Sequence, residues 1–385
     1  MKVLHLFSNT KWTGPAEPVV NLCRALQSRG MDVTLACGRV RTPPVEPTVA
    51  DRARDAGVNV ISDLWLRKHA SLRRNYLDSS RLREYVEAQR FDLIHTHMKN
   101  DHLVAALAAR RSKVFPPVLR SSYEGDGLRP DLRNRILLKR YTNGLVTCSR
   151  KARQNDIANF HLPEERVWTA YGAVDTDQFN PERDLPDFRT RFRLSPDLFI
   201  VGIVARIQVR RKFGLLLDAV VRAYRELDNL RVMIIGRGTQ MKKVAVEPAK
   251  RLRLERCVLF PGYFRGDDYL AALKCLDAKV YLYPGTDGTC RALLQAMAFG
   301  KPCVASKRGV LPEIVIDGLN GFVVEDDPAA LADAILKLAR DPQLRRTLGA
   351  NARAKAVSEF SLQKLATSIE VVYRELIEQA PRMHL

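Results

Sequence analysis

The 385-residue sequence has no run of about 18 apolar residues, and the opening MKVLHLFSNTKW is broken early by polar side chains. Those absences point to a cytoplasmic chain that does not span a membrane. Cys-x-x-Cys spacing is absent as well. The seven cysteines, Cys23, Cys37, Cys148, Cys257, Cys275, Cys290 and Cys303, form an odd, scattered set. Such a set argues against both a disulfide framework and a zinc site, and most of these residues read as small buried apolar side chains. Acidic residues are in deficit, 43 against 63 basic, which leaves a formal charge of +20. A field of that sign favours anionic partners: nucleic acid, acidic lipid headgroups or phosphorylated small molecules. No aromatic-basic module is present, so nucleic acid ranks last among these.

What is present describes an ordered globular chain, 46% apolar and 28% charged, long enough for two domains. KVLHLFS opens as a short apolar strand. PVVNLCRALQSRG then sets Val19, Val20, Leu22, Cys23 and Leu26 on one helical stripe that Gly30 ends. Strands and helices alternate through DVTLACG, NVISDL, DLIHTHM, a helix over Asp101 to Arg111, PVLRSSY, a basic helix near Asp131 to Tyr141, and GLVTCS. This spacing predicts βαβ units on a mostly parallel sheet. At NPERDLPDFRTRFRLSPD the pattern breaks into proline, charge and turn residues, which reads as a linker. A second series follows through FIVGIVAR, a helix from about Phe213, LRVMIIG, CVLFPGY, AKVYLYP and NGFVVE. The expected boundaries are 1–185 for the first domain and 186–360 for the second. Two doubly wound domains leave a cleft beyond the carboxyl ends of their strands, and that cleft is the expected site.

Three elements of the second domain end strands with phosphate-binding chemistry. VARIQVRRKFG places Arg206, Arg210, Arg211 and Lys212 in one loop, where guanidinium forks suit a pyrophosphate. IIGRGTQ offers Gly236 and Gly238 for close approach of backbone to ligand. GTDGT leads into a helix with Ala292, Leu293, Ala296 and Met297 on its apolar face, so N–H groups near Gly288, Thr289 and Cys290 face an anion at the positive end of the helix. Asp287, just before it, can cap the helix or bind a polyol. Cys290 has no histidine near it in sequence, which argues against a nucleophile. His95 and His97 point to the same side of their strand. Without an apparent third ligand, they read as hydrogen-bonding groups for acceptor or donor sugar rather than a metal pair. His102 reads as structural, and Asp326 and Asp327 as a helix N-terminal signal. Between Arg110 and Arg153 twelve basic residues face three acidic ones, either a solvated helix face or a surface toward anionic lipid.

The run DGTCRALLQAMAFGKPCVAS followed by GVLPEIVIDGLNGFVV resembles the donor-site signature of the retaining glycosyltransferases of family 4, which have the GT-B fold. GPAEPVVNLCRALQSRGMDVTL, DLIHTHM, AYGAVDTDQF and VARIQVRRKFG resemble that family's other motifs in the same order. The resemblance implies two Rossmann-like α/β domains facing across a deep cleft, with a C-terminal helix of about residues 361–385 crossing back onto the first. It implies Arg206 and Arg211 on the donor pyrophosphate and Gly14 in a loop near donor phosphate and acceptor. Gly288, Thr289 and Cys290 would give backbone donors. Asp287 and Gln295 stand where the family has two glutamates that contact the transferred sugar and the ribose. Gly172 lies in a matching segment after Tyr171, which replaces an asparagine. Pro15 replaces the loop's second glycine, and Tyr123 and Glu124 stand where many relatives carry a histidine. The implied activity is metal-independent, cofactor-free transfer with retention from a nucleotide-diphosphate sugar to a glycan or lipid-linked acceptor. Cell-surface polysaccharide or lipopolysaccharide assembly at the inner face of a membrane is the implied setting. A sugar-nucleotide epimerase of the same fold, or a catalytically weak relative that binds a nucleotide sugar, remain as alternatives.

Overall fold

The structure, a computed structural model, describes residues 1–40, 46–112, 116–283 and 288–383. It divides into two compact units, Met1–Tyr171 with the segment from Leu362, and Gly172–Ser361.

Unit one is built on a seven-stranded sheet: β1 (Lys2–Phe7), β2 (Asp32–Cys37), β3 (Asn59–Ile61), β4 (Leu93–Thr96), β5 (Val118–Ser122), β6 (Gly144–Thr147) and β7 (Val167–Thr169). All neighbours are parallel, in the order β3-β2-β1-β4-β5-β6-β7. Its helices are α1 (Ala16–Gln27), α2 (Val49–Asp55), α3 (Leu72–Gln89), α4 (Lys99–Ala109), α5 (Leu132–Arg140) and α6 (Arg150–Phe160), joined by a C-terminal helix, Leu362–Met383. Parallel strands need helical crossovers, and the crossovers cover both faces. On one face Leu4, Leu6, Ile94 and Val118 pack with Leu82, Val86, Val104 and Ala108 from α3 and α4. The opposite face of β1 and β4 carries His5 and His95, which are in register.

Unit two repeats the plan with β8 (Phe199–Val204), β9 (Leu230–Ile235), β10 (Val258–Gly262), β11 (Ala278–Tyr281), β12 (Cys303–Ser306) and β13 (Gly321–Val324), ordered β10-β9-β8-β11-β12-β13. Around it lie α7 (Phe188–Arg191), α8 (Phe213–Glu226), α9 (Glu247–Arg251), α10 (Gly266–Lys274), α11 (Arg291–Ala298), α12 (Leu311–Ile314), α13 (Pro328–Arg340) and α14 (Pro342–Phe360). The core packs Val201, Ile203, Val232, Ile234 and Val280 against Leu216, Val220, Leu331 and Ile335 of α8 and α13. Each such buried side chain contributes about 1.5–3 kcal/mol.

The division between units falls before Gly172, ahead of the proline-rich stretch at which the sequence suggested it. The reason is that residues 172–185 pack within unit two. Val174 donates its N–H to the Phe360 carbonyl, Arg353 donates to the carbonyls of Thr176 and Phe179, and the Phe179 ring meets Tyr269 and Phe299. The helices read from the sequence near residues 101, 131 and 213 are α4, α5 and α8. Helix α3 carries no expectation from the sequence, because charged and small polar residues interrupt its apolar positions; Asn75, Asp78 and Ser79 are buried on it. Asp327 caps α13 by accepting from the N–H groups of Ala329 and Ala330. Among the described residues no helix is long and apolar enough to cross a membrane.

One core residue opposes the fold. Lys279 lies on β11 beside Cys303 of β12, is fully buried, and its Nζ has no hydrogen-bond partner among the described residues. Burial lowers its ammonium from 10.5 to about 7, with the nearby Cys303 opposing the shift. Folded Lys279 therefore releases its proton near pH 7, whereas the unfolded chain holds it to about 10.5. The unfolded state binds more protons between those values, so stability rises with pH across that window and is lowest below it. Lys279→Met is expected to raise stability at neutral pH by as much as about 5 kcal/mol, and to flatten the rise of melting temperature between about pH 7 and about pH 10.5. Thermal unfolding of both proteins across that range tests it; equal slopes would refute the assignment.

Candidate active site

In each sheet the strand order reverses once, between β1 and β4 and between β8 and β11. Crossovers leave the two central strands in opposite directions there, so their carboxyl-end loops part and leave a crevice. The sequence-selected residues gather at these two points.

In unit two, β8 runs into the loop that carries Arg206, which is exposed, and then into a short turn over Val209–Arg211. Arg211 Nη1 donates to the Tyr283 carbonyl at 2.6 Å, tying the β8 loop to the β11 loop across the reversal. Lys212, held at φ 60°, donates to Asp326 Oδ2 at 3.1 Å, an oxygen that Arg308 also contacts. Asp326 thus anchors a cation of the loop, a role beyond the helix signal read from the sequence. After β9, Gly236 has φ 149° and lies against the Ala205 carbonyl so closely that a Cβ there would collide with it. The glycine is what lets the β9 loop sit under Arg206.

Asp287 falls outside the described residues. Gly288, Thr289 and Cys290 follow it as a buried turn, with Cys290 at φ 47° in the N-cap position of α11 and without a side-chain cap. Gly172 packs on this turn, and a Cβ there would overlap the Thr289 backbone. Two segments more than a hundred positions apart in sequence are thereby brought together. Gln295, on α11, is buried; its Oε1 accepts from Tyr269 Oη at 2.6 Å, which turns its amide NH2 away from that tyrosine. Tyr269 was not selected from the sequence.

In unit one, Gly14 lies exposed in the turn between β1 and α1, and Glu124, half-buried after β5, pairs with Lys99 at 3.2 Å. His95 and His97 differ from the expectation that they reach for sugar. Both are buried and all four of their ring nitrogens are engaged inside the unit. His95 bonds Tyr373 Oη and Ser121 Oγ, each at 2.7 Å; His97 bonds His5 at 2.9 Å and Tyr123 Oη at 2.7 Å. His5 also meets Tyr373 Oη at 3.1 Å. Neither His95 nor His97 has a nitrogen left for a ligand. Desolvation lowers His5 to about 3 and takes the other two well below the usual range, so all three are neutral. His5 supplies the third imidazole that the sequence did not reveal, and the three ligand atoms lie within 4.8 Å of one another. The nitrogens nevertheless point at each other and at hydroxyls rather than at one common centre, which does not suit a metal. His102, as expected, is structural, bonded through Nε2 to Thr142 Oγ1 at 2.7 Å.

Beneath them, Asp101 is fully buried and accepts from the N–H groups of Ser8 and Met98, with Arg120 at 3.6 Å. Burial raises its carboxyl to about 7 against the pull of Arg120. Arg120 therefore belongs to the core and leaves the basic surface that its sequence neighbourhood suggested.

Residues 13–178 match the family described as Glycosyltransferase Family 4 and residues 186–355 the family described as Glycosyl transferases group 1. The chain belongs to the glycosyltransferases of group 1 and family 4. N-acetyl-alpha-D-glucosaminyl L-malate synthase of Bacillus anthracis is 23% identical over 305 residues, 78% of each chain. D-inositol 3-phosphate glycosyltransferase of Corynebacterium kroppenstedtii is 25% identical over 69% of this chain and 61% of its own. Among solved structures, a glycosyltransferase from Rickettsia africae superposes with a TM-score of 0.83 at 14% identity, covering 98% of both chains. HepE from Anabaena, solved with UDP and glucose, superposes at 0.77 and 20% identity over 97% of this chain and 99% of its own. The fold of this glycosyltransferase is GT-B.

Gly172→Ala tests the packing of the two segments of unit two. The added methyl should displace the Thr289 turn and cost about 1–3 kcal/mol, read by urea unfolding, and weaken the thermal shift given by UDP. Unchanged values for both would mean that the turn yields freely.

Proposed function

We propose that this glycosyltransferase moves a sugar, with retention and without a metal, from a nucleotide-diphosphate sugar held by unit two to a glycan or lipid-linked acceptor. The observation that carries the reading is the convergence at the β8/β11 reversal: Arg206 and Arg211 on one loop, the turn before α11 on the other, and Gly236 and Gly172 giving the backbone close approach. As the sugar–phosphate bond breaks, the anomeric carbon gains positive charge and the leaving diphosphate gains negative charge. Preorganised cations and backbone dipoles on that diphosphate lower the barrier most. The diphosphate itself would take the acceptor proton, so no protein base is needed. Asp287 would meet the transferred sugar. Gln295, with its carbonyl held by Tyr269, would offer N–H donors to the ribose where a glutamate would offer only acceptors. Gly14, Tyr123 and Glu124 would be substrate-facing residues of unit one. The occupied nitrogens of His95 and His97 favour transfer over epimerisation, which would need open acid and base groups at the sugar.

The setting we propose is polysaccharide or lipopolysaccharide assembly on the cytoplasmic side of a membrane, reached by peripheral contact. The N-terminal ends of α3, α4 and α5 are tied together: Asn75 donates to Asn100, Asn100 to the Arg67 carbonyl, and Arg133 to the Lys99 carbonyl. Leu72 is 95% exposed and Leu132 73% exposed at the starts of α3 and α5, with Tyr76, Leu77 and Ile136 also exposed behind them. Arg67, Lys68, Arg73, Lys99, Arg129, Arg133 and Arg135 surround these residues, all exposed. Apolar tips among cations match an anionic headgroup layer.

UDP-, GDP- and ADP-sugars should be screened by thermal shift and donor turnover. Arg206→Ala, which removes an exposed side chain, should leave the melting temperature unchanged and lower turnover on the responding donor by about a hundredfold or more. Unaltered turnover would remove Arg206 from the site. Leu72→Asp with Leu132→Asp should cut binding to phosphatidylglycerol vesicles by at least about tenfold; undiminished binding would exclude this face.

A further inference from the structure

Six side chains of unit one form an open line of hydrogen bonds: Ser121 meets His95, His95 meets Tyr373, Tyr373 meets His5, His5 meets His97 and His97 meets Tyr123. His5, His95, Ser121 and Tyr373 lie inside the unit, and Tyr123, half-buried at the end of β5, is where the line approaches the surface. Tyr373 comes from the C-terminal helix, 278 positions from His95.

Three neutral imidazoles and three hydroxyls bring one polar hydrogen each, and five links join them. A neutral imidazole donates from one nitrogen and accepts at the other. If Tyr373 donates to His5 Nε2, then His5 must donate from Nδ1 to His97, His97 from Nδ1 to Tyr123, and His95 from Nδ1 to Tyr373. All three histidines are then Nδ1–H tautomers. If Tyr373 donates instead to His95 Nδ1, every link reverses and all three are Nε2–H tautomers. Any mixture sets two N–H groups or two lone pairs against each other in the buried interior, where neither finds water.

We propose that Tyr373 is a positioning residue for Tyr123: its single proton sets one direction along the whole line of hydrogen bonds, so that the Tyr123 hydroxyl donates to His97 when the histidines are Nε2–H and accepts from it, turning its own proton outward, when they are Nδ1–H. A ligand that takes the Tyr123 proton must hold all three histidines in the Nδ1–H form. The line stands on the geometry alone; the ligand step rests on the proposed substrate-facing place of Tyr123.

Long-range proton–nitrogen correlation spectra of the full chain, labelled with 15N-histidine, read the tautomers directly. Assignment comes from His5→Gln, His95→Gln and His97→Gln, each of which deletes one signal. His5, His95 and His97 are expected to share one tautomer, or one common ratio of the two. Tyr373→Phe should break that agreement and make the ratios of His95 and His5 diverge, a change that lost packing alone does not produce. Ser121→Ala, which removes one end of the line, should shift all three ratios together and serves if Tyr373→Phe fails to fold. Different ratios in the wild type, a Tyr373→Phe protein with the wild-type pattern, or a Ser121→Ala protein in which the three ratios do not move together, would overturn the coupling. Loss of the pattern with tight 1:1 uptake of zinc ion would also overturn it, in favour of a metal site. UDP-glucose then probes the ligand step: movement of all three signals toward Nδ1–H supports it, and an unmoved but uniform pattern removes Tyr123 from contact with this donor while leaving the coupling intact.

Discussion

Everything assigned to catalysis depends on one topological constraint, the single reversal of strand order in each parallel sheet. Parallel strands joined by right-handed crossovers send all their exit loops to one edge. Only where the crossovers change direction do two adjacent exit loops stand apart, and only there can a backbone turn, a guanidinium and a helix start face the same volume. The link from Arg211 to the Tyr283 carbonyl spans that gap in unit two. The glycines are consequences of the same crowding, since the loops that line the crevice pass within a Cβ of one another at Gly236 and Gly172. A sheet with strands in sequence order would carry the same residues without bringing them together.

The two units solve the polar side of burial differently. Unit one buries histidines, tyrosines, Asp101 and Arg120 and gives each a partner, so neutral imidazoles and a half-compensated ion pair replace the aliphatic packing found on the opposite face of its sheet. Unit two buries Lys279 without one among the described residues. A satisfied network fixes a unique arrangement, whereas an orphaned amine only subtracts from stability. The histidine-rich face is therefore where unit one specifies the seating of its C-terminal helix: shape alone would accept a neighbouring register, but the Tyr373 hydroxyl has to reach His5 and His95 at once.

How far the sequence discloses this follows from distance along the chain. Alternating strands and helices are local patterns, and the two sheets, helix α5, the cap of α13 and the Arg206–Lys212 loop could be read from them. The turn before α11 was legible for the same reason, because strand, glycine turn and apolar helix face occupy one short run. The line of histidines and hydroxyls was not legible. Its members are single histidines, tyrosines and a serine scattered from position 5 to position 373, and Tyr373, buried on the same helix face as Ile369, Val372 and Leu376, reads from the sequence as one more core side chain. His95 and His97 were visible as a pair, but their strand register with β1, which supplies His5, is a property of the sheet. Helix α3 escaped because its buried positions include Asn75, Asp78 and Ser79, whose partners lie on other elements.

The exchange of a family glutamate for Gln295 acquires its meaning from Tyr269, which periodicity could not place beside it. A carboxylate in that position would accept the tyrosine hydroxyl and still have lone pairs to accept from ribose hydroxyls. An amide whose oxygen is turned to Tyr269 at 2.6 Å presents its N–H groups on the side away from the tyrosine. The ribose would then have to accept where it would otherwise donate. Hydroxyls do either, so in the proposed site the substitution would preserve binding of a ribose while reversing the sense of the hydrogen bond and removing a negative charge near the diphosphate. Arg206, with no carboxylate contact among the described residues, would then face the diphosphate with its charge undiminished. A donor site built this way would shift its electrostatic balance toward the leaving group, which is where charge develops as the bond from sugar to phosphate breaks.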